Sequence, residues 1–327
     1  MSNLLSCWGN YKKKLSLREK CCPCKGAPAF WSVNWAAALV HLINAGATLG
    51  LYAASEDSQQ VFKLSENYAP WDPPVNGTCP SGAFKVSDEW CVSKESAETS
   101  ELSLWWLVIV FHFLSFAFQA LAMAEWDVEC CKLRCTRKNY AKEVLEDGTN
   151  TLRMIEYSIS ATLMQIAIAL VLGVWERLVI IGIGFLTAVT MLQGLVAEKI
   201  KSVDKEVAWI AHLSGWVSMG GVWFILGRQF GFTIEMSKKN AEAAGTDPNL
   251  PPDFVYAIVV VIGVLYSGFG LVQLVDLCIT KRSDSKARKE KKNAAIEMAY
   301  CVLSLTSKTF LGWIIFGNAL SGMATNN

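Results

Sequence analysis

Residues 294–320 read AAIEMAYCVLSLTSKTFLGWIIFGNAL, an apolar run with a single lysine, Lys308, near its middle. About 20 apolar residues are enough for a helix to cross a bilayer. A lysine near the centre of such a helix costs about 2.5–3.5 kcal/mol on insertion scales, so it marks a functional site by default. Lys308 is too far from either end of the run to snorkel comfortably to an interface. Two readings remain. It is half of a buried ion pair, or it is a desolvated amine of depressed pKa, nucleophilic toward an aldehyde and able to form a Schiff base.

Six further runs of spanning length lie upstream, near 31–53, 102–124, 151–174, 178–197, 207–227 and 254–277. Each must be helical, because hydrocarbon offers no partner to a backbone N–H or C=O. The runs are apolar nearly all round, whereas buried helices of a soluble bundle carry stripes. The chain of 327 residues is 52% hydrophobic, with a mean hydropathy of +0.29. The expected fold is therefore all-α, a bundle of seven transmembrane helices. A net charge of +1 gives no global attraction to nucleic acid. The basic, cysteine-rich start lacks the apolar core of a cleavable leader. No catalytic triad, metal site or phosphate loop argues for an enzyme.

Lysine and arginine fall mostly in the N-terminal segment, the second and fourth loops and the loop before the last span. The positive-inside rule then puts the N-terminus in the cytoplasm and the C-terminus outside. The organisation follows as a basic segment 1–30, a helical domain 31–320 with a long outer loop at 54–101, and an outer tail 321–327. The outer loop is acidic and carries the glycosylation acceptor Asn76-Gly77-Thr78. It also holds Cys79 and Cys91, expected as a disulfide in an oxidising compartment. Ala83-Phe84-Lys85-Val86 alternates as a short hairpin strand would. Cys21, Cys22, Cys24, Cys130, Cys131 and Cys135 collect on the inner face. They read as reduced thiols, with acylation or zinc as alternatives.

Glu156 is the clearest carboxylate within a span, and all three histidines, His41, His112 and His212, lie in spans. The third and seventh spans run in the same direction. Lys308 therefore leans toward the half that holds Glu156, passing Ser304 one turn back. Glu156 would be the counterion of a protonated imine, and Ser304 is expected to hydrogen-bond the imine or the carboxylate. Met164, Gln165, Trp216, Met219, Tyr266 and Phe269 are candidate walls of an apolar pocket; ordinary helix packing is the alternative. His41 and His112 reach similar depth and are expected to join Asn44, Ser115 and Gln119 in a polar proton network, to which Ser160 is added. His212 reads as structural.

Seven spans with a lysine in the last resemble the retinal proteins. Ordinary microbial rhodopsins carry an aspartate four residues before that lysine and a Trp and Pro signature in the sixth helix. Here Ser304 holds the first place and the sixth span has no proline. The chain resembles a heliorhodopsin instead, through Glu156-Tyr157-Ser158-Ile159-Ser160-Ala161, through Ser304-Leu305-Thr306-Ser307-Lys308 with Trp313, and through His41 and His112. The inverted topology and long first loop agree. The resemblance implies that Lys308 binds all-trans retinal covalently, that Glu156 is the counterion and Ser304 its support, and that the chain forms a homodimer among membrane lipid. It implies a light sensor more than a pump, in the plasma membrane, with Schiff-base deprotonation driving helix and loop changes.

Three functions are weighed. The first is a photoreceptor that signals to a cytoplasmic partner through the basic N-terminus and the loop 281–292. The second is a light-dependent proton transporter or channel. The third is a non-photochemical transporter with a buried Lys–Glu pair. Glu297, Cys301, Ser304 and Lys308 share one helical stripe. Glu297 reads as a solvated first-turn acid favoured by the helix dipole, with proton exchange toward the imine as the alternative.

Overall fold

Seven segments carry their apolar character through five or more turns, and each closes its backbone hydrogen bonds within itself as a helix. In the computed structural model they are α1 (Pro28–Ala54), α2 (Leu104–Met123), α3 (Thr151–Val171), α4 (Arg177–Ile200), α5 (Lys205–Ala244), α6 (Asp253–Ile279) and α7 (Lys286–Ala324). The structure describes residues 28–54, 61–68, 71–72, 79, 84–85, 91–92, 95–123, 140–281 and 283–324. Among the described residues these seven helices are long and apolar enough to cross a membrane. The helices pack in sequence order, and α7 returns to α1 to close the ring. Phe185, Val217 and Phe224 stand 69%, 77% and 69% exposed on outer faces, as side chains that face lipid would. The chain is an integral membrane protein.

Two helices exceed the spans expected from hydropathy. α5 continues past 227 to Ala244. Its last turns contain Lys238, Lys239, Glu242 and several alanines, which are good helix formers in water. Gly245, at φ +67°, ends it. Its N–H bonds to Glu242 O, and Thr246 N–H reaches back to Ala241 O, the pattern of a Schellman cap. α7 begins at Lys286, eight residues before the expected 294. Its first turns are charged and braced by Lys286–Glu290 at 3.9 Å. Hydropathy finds the stretch that meets lipid, not the length of the helix.

A π-helical turn, Lys142–Asp147, precedes α3 and ends at Gly148, φ +70°. A Cβ there would lie 2.8 Å from Asn293 Nδ2, the amide that donates to Leu145 O at 2.9 Å. Asn150 then caps α3, accepting from the Arg153 N–H at 2.9 Å.

At the opposite end of the bundle, β1 (Val61–Tyr68) pairs antiparallel with β5 (Glu95–Ser103), with an irregularity between Leu64 and Ser65. The Ser65 N–H donates to Trp175 O at 3.0 Å. Arg177 meets Glu66 at 3.3 Å, so the ribbon is tied to the turn between α3 and α4. Short strands β2 (Trp71–Asp72), β3 (Phe84–Lys85) and β4 (Cys91–Val92) form a second sheet in the order β2-β4-β3. Cys79 and Cys91 are disulfide-bonded, with Cα atoms 5.5 Å apart. Asn76, the segment before residue 28, Cys130, Cys131, Cys135, Arg282 and the tail from 325 lie outside the described residues.

Candidate functional site

Three helices bring three polar groups to one buried point. Lys308 Nζ on α7 donates to Glu156 Oε1 on α3 at 2.6 Å and to Ser115 Oγ on α2 at 2.5 Å. Ser115 Oγ in turn lies 2.7 Å from the same carboxylate oxygen. Lys308 is 2% exposed and Glu156 5%. Neither charge would be tolerated there alone, because a buried ion must be paired and hydrogen-bonded. The Tyr157 ring lies 5.1 Å from the ammonium and adds a cation–π contact. The hydroxyl between lysine and carboxylate is thus Ser115, which corrects the expectation for Ser304. Ser304 makes no bond to either group; it is in hydrogen-bonding contact with Tyr157 and lines the neighbouring cavity.

That cavity begins at Lys308 and passes between α3, α4, α5 and α6. Met164, Trp216, Met219, Tyr266 and Phe269 line it, together with Ala161, Met191 and Gly270. Gly270 is required by close approach: a Cβ would sit 2.5 Å from Trp216 Cζ2. Gln165 does not line the cavity. It is one layer out, its amide 3.7 Å from Met219 Sδ, because its position on α3 points between the helices. Ser160 also faces the cavity, and its Oγ has no hydrogen-bond partner among the described residues. It therefore stands apart from the histidines it was grouped with.

His212, read from the sequence as structural, is hydrogen-bonded and buried at 3% exposure. It lines the cavity and belongs to a defined chain of bonds. Trp216 Nε1–H donates to His212 Nε2 at 3.0 Å, so that nitrogen is an acceptor. Nδ1 then carries the proton toward Gln273 Oε1 at 2.9 Å, and the Gln273 amide donates to Gly194 O at 2.9 Å. The imidazole is held as one neutral tautomer. Only the His-x-x-x-Trp spacing within α5 is visible in the sequence; Gln273 of α6 is brought to His212 by folding, and Gly194 of α4 to Gln273.

His41 and His112 meet directly, Nδ1 to Nδ1, at 3.1 Å. One must donate and the other accept, so the pair shares one proton between the two facing nitrogens. His112 Nε2 would lie 3.0 Å from a Cβ at Gly312, one turn beyond Lys308. Asn44 bonds Thr309 and Trp313 instead of the histidines. Gln119 contacts Cys301. The expected single network is two groups, the histidine pair and the Lys308–Glu156–Ser115 set, with no direct hydrogen bond recorded between them among the described residues.

One turn before Glu156, Arg153 binds Glu198 of α4 and Glu297 of α7 and lies 4.0 Å over the Tyr300 ring. Glu297 also accepts from Asn150 Nδ2 at 2.6 Å. It is buried at 6% exposure, about three turns into α7. The solvated first-turn acid expected from sequence is therefore overturned: eight extra residues of helix precede the apolar run, and Arg153 folds in to pair it. A small polar cavity lined by Gln119, Asn150, Arg153, Glu156 and Glu297 connects this cluster with Glu156.

A family model for heliorhodopsin matches residues 30–320. The chain belongs to the heliorhodopsin family. No curated protein matches it. Among solved structures, it resembles the transmembrane domain of Salpingoeca rosetta rhodopsin phosphodiesterase, at 12% identity and TM-score 0.55, over 89% of this chain and 84% of that one. A thermophilic rhodopsin aligns at 12% identity and TM-score 0.47, over 68% of this chain and 82% of that one. The first of these likenesses shows a shared fold. Membership makes this heliorhodopsin a retinal-type, light-responsive membrane protein, its chromophore held on a lysine as a Schiff base. The cavity fits such a group. A lysine opens into it, its walls are apolar and aromatic, and Gly270 leaves room beside Trp216.

Proposed function

We infer that this heliorhodopsin is a photoreceptor whose Lys308 carries all-trans retinal, with Glu156 as counterion. The observation that carries the reading is the 2.6 Å contact of Lys308 Nζ with Glu156 Oε1 at the head of the apolar cavity. Here Nζ stands for the Schiff-base nitrogen. Bound retinal supplies light absorption and isomerisation; the protein supplies orientation and electrostatics. Glu156 holds a proton on the nitrogen by charge, and Ser115 fixes the carboxylate oxygen that does so. Met164, Met219, Tyr266 and Phe269 exclude water from the polyene side. On the other side, the His41–His112 pair offers a neutral proton acceptor within the bundle.

In this reading the N-terminus and the basic ends of α4 and α7 face the cytoplasm, as the charge distribution of the chain favours. The protein sits in the plasma membrane as a homodimer, has no enzymatic activity of its own, and signals through its basic face. Lys308→Ala is expected to fold and to give no visible band with retinal; a stable visible pigment in that variant would overturn the reading. A second reading, light-dependent proton transport, is favoured by one feature, the polar cavity that leads from Glu156 to Glu297. It requires a light-evoked current.

A further inference from the structure

An opening away from Lys308 lies at the end of the bundle where α4 and α6 finish and α7 starts. It is a cavity of about 330 Å³. Lys199 and Ser202 come to it from the end of α4, Thr280 and Lys281 from the end of α6, and Lys289 and Lys292 from the first turns of α7. Three segments of chain thus bring amines and hydroxyls to one concavity.

The charges there are not balanced internally. Lys201 lies at the buried floor, but its ammonium is taken by Asp276 and by Gly148 O at 2.6 Å. Lys292 donates to Thr280 Oγ1 at 3.2 Å and is 3.8 Å from Asp284. Of the acids on the wall, Glu146 is occupied by Lys286 at 2.8 Å, which leaves Asp147. Lys199, Lys281 and Lys289 line the same space and form no ion pair among the described residues. Three like charges gathered in a concavity repel one another, and one carboxylate does not offset them.

We propose that this cavity binds a phosphate group, held by Lys199, Lys281 and Lys289 with the hydroxyl of Ser202. Lysine binds phosphate as a point charge, and the Ser202 hydroxyl donates to one of its oxygens, while Thr280 is already spent on Asp276 at 3.2 Å. The space also admits bound water. The site lies where the apolar spans end, so the same chemistry suits a lipid headgroup phosphate or a free phosphate compound. It is separate from Lys308, and its test does not depend on retinal.

The full chain is reconstituted in phosphatidylcholine nanodiscs. In one arm inorganic pyrophosphate is titrated in and followed by calorimetry. In the other, phosphatidylinositol 4-phosphate is included and its retention is read by native mass spectrometry. Saturable binding is expected in at least one arm. Pyrophosphate saturation assigns a soluble source, and lipid retention without it assigns a headgroup. The triple variant Lys199→Gln, Lys281→Gln, Lys289→Gln should weaken binding about tenfold or more. Lys205→Gln, Arg288→Gln, Lys291→Gln removes equal charge from the same end without touching the cavity and should bind as the parent does. Lys289→Gln alone, a minimal change, should still weaken binding severalfold. No saturable binding in either arm, an unaltered affinity in the cavity variants, or an equal loss in both triple variants would overturn the proposal.

Discussion

At the residue scale, the buried charge on Lys308 is stabilised by one carboxylate and one hydroxyl. As the proposed counterion of bound retinal, Glu156 would lower the energy of the state whose positive charge sits on the nitrogen, so its removal would narrow the excitation gap. Glu156→Gln is expected to move the visible band to the red or to lower the pKa of the Schiff base; an unchanged spectrum and titration would exclude Glu156 as counterion. Ser115 makes a further prediction, since it touches both partners. Ser115→Ala should shift the band or the titration, whereas Ser304→Ala should do so less, because Ser304 contacts neither group. Absorption spectra of the two variants across pH check the order, and a larger effect at Ser304 would contradict the geometry. Lys308 and Glu156 were legible in the sequence because a charge in an apolar run stands out against its neighbours. Ser115 as the bridging hydroxyl was not, because a serine within a span is cheap and signals nothing by itself.

At the element scale, α3, α4 and α7 are joined by Arg153 between Glu198 and Glu297. Removing the guanidinium leaves two buried carboxylates beside each other. Arg153→Ala should therefore destabilise the protein by about 3–5 kcal/mol, read as a lower thermal unfolding temperature. Adding Glu198→Gln and Glu297→Gln to that variant should recover part of the loss, and no recovery would show that the carboxylates are not its cause. The turn before α3 makes a second, independent case. Gly148→Ala should destabilise by about 1–2 kcal/mol, since its φ is +70° and a Cβ would press on Asn293. A stability equal to the parent's would mean that the turn relaxes at no cost.

At the scale of the whole molecule, the ring of helices leaves apolar matter on one side of Lys308 and two polar groupings on its other sides. Sensing and transport differ in whether a polar route is continuous. The Arg153 cluster lies between Glu156 and the α3 N-terminal end, and its carboxylates are held by ion pairs. Voltage clamp under illumination is therefore expected to show no sustained current. A sustained proton current, reduced by Glu297→Gln, would favour transport instead. The β1–β5 ribbon at the other end is tied to the α3–α4 turn, and the segment between its two strands carries the Cys79–Cys91 bond. Cys79→Ser with Cys91→Ser should lower thermal stability by about 2–4 kcal/mol at most and leave the visible band in place, because the bond is remote from Lys308.

The sequence by itself determined the seven spans, since lipid imposes a length and a composition that can be read locally. It also singled out the lysine and carboxylate in them, because burying a charge in hydrocarbon is costly wherever the chain folds. Tertiary structure decided the partners. Which hydroxyl bridges Lys308, that Glu297 is buried against Arg153, that His212 belongs to the cavity wall and that Gln165 does not, all depend on how helices far apart in sequence rotate against one another. A polar side chain can face any of several neighbours, and only packing selects one. The lengths of α5 and α7 were likewise beyond hydropathy, because their outer turns are held by caps, helix propensity and ion pairs in water, where apolar periodicity carries no signal.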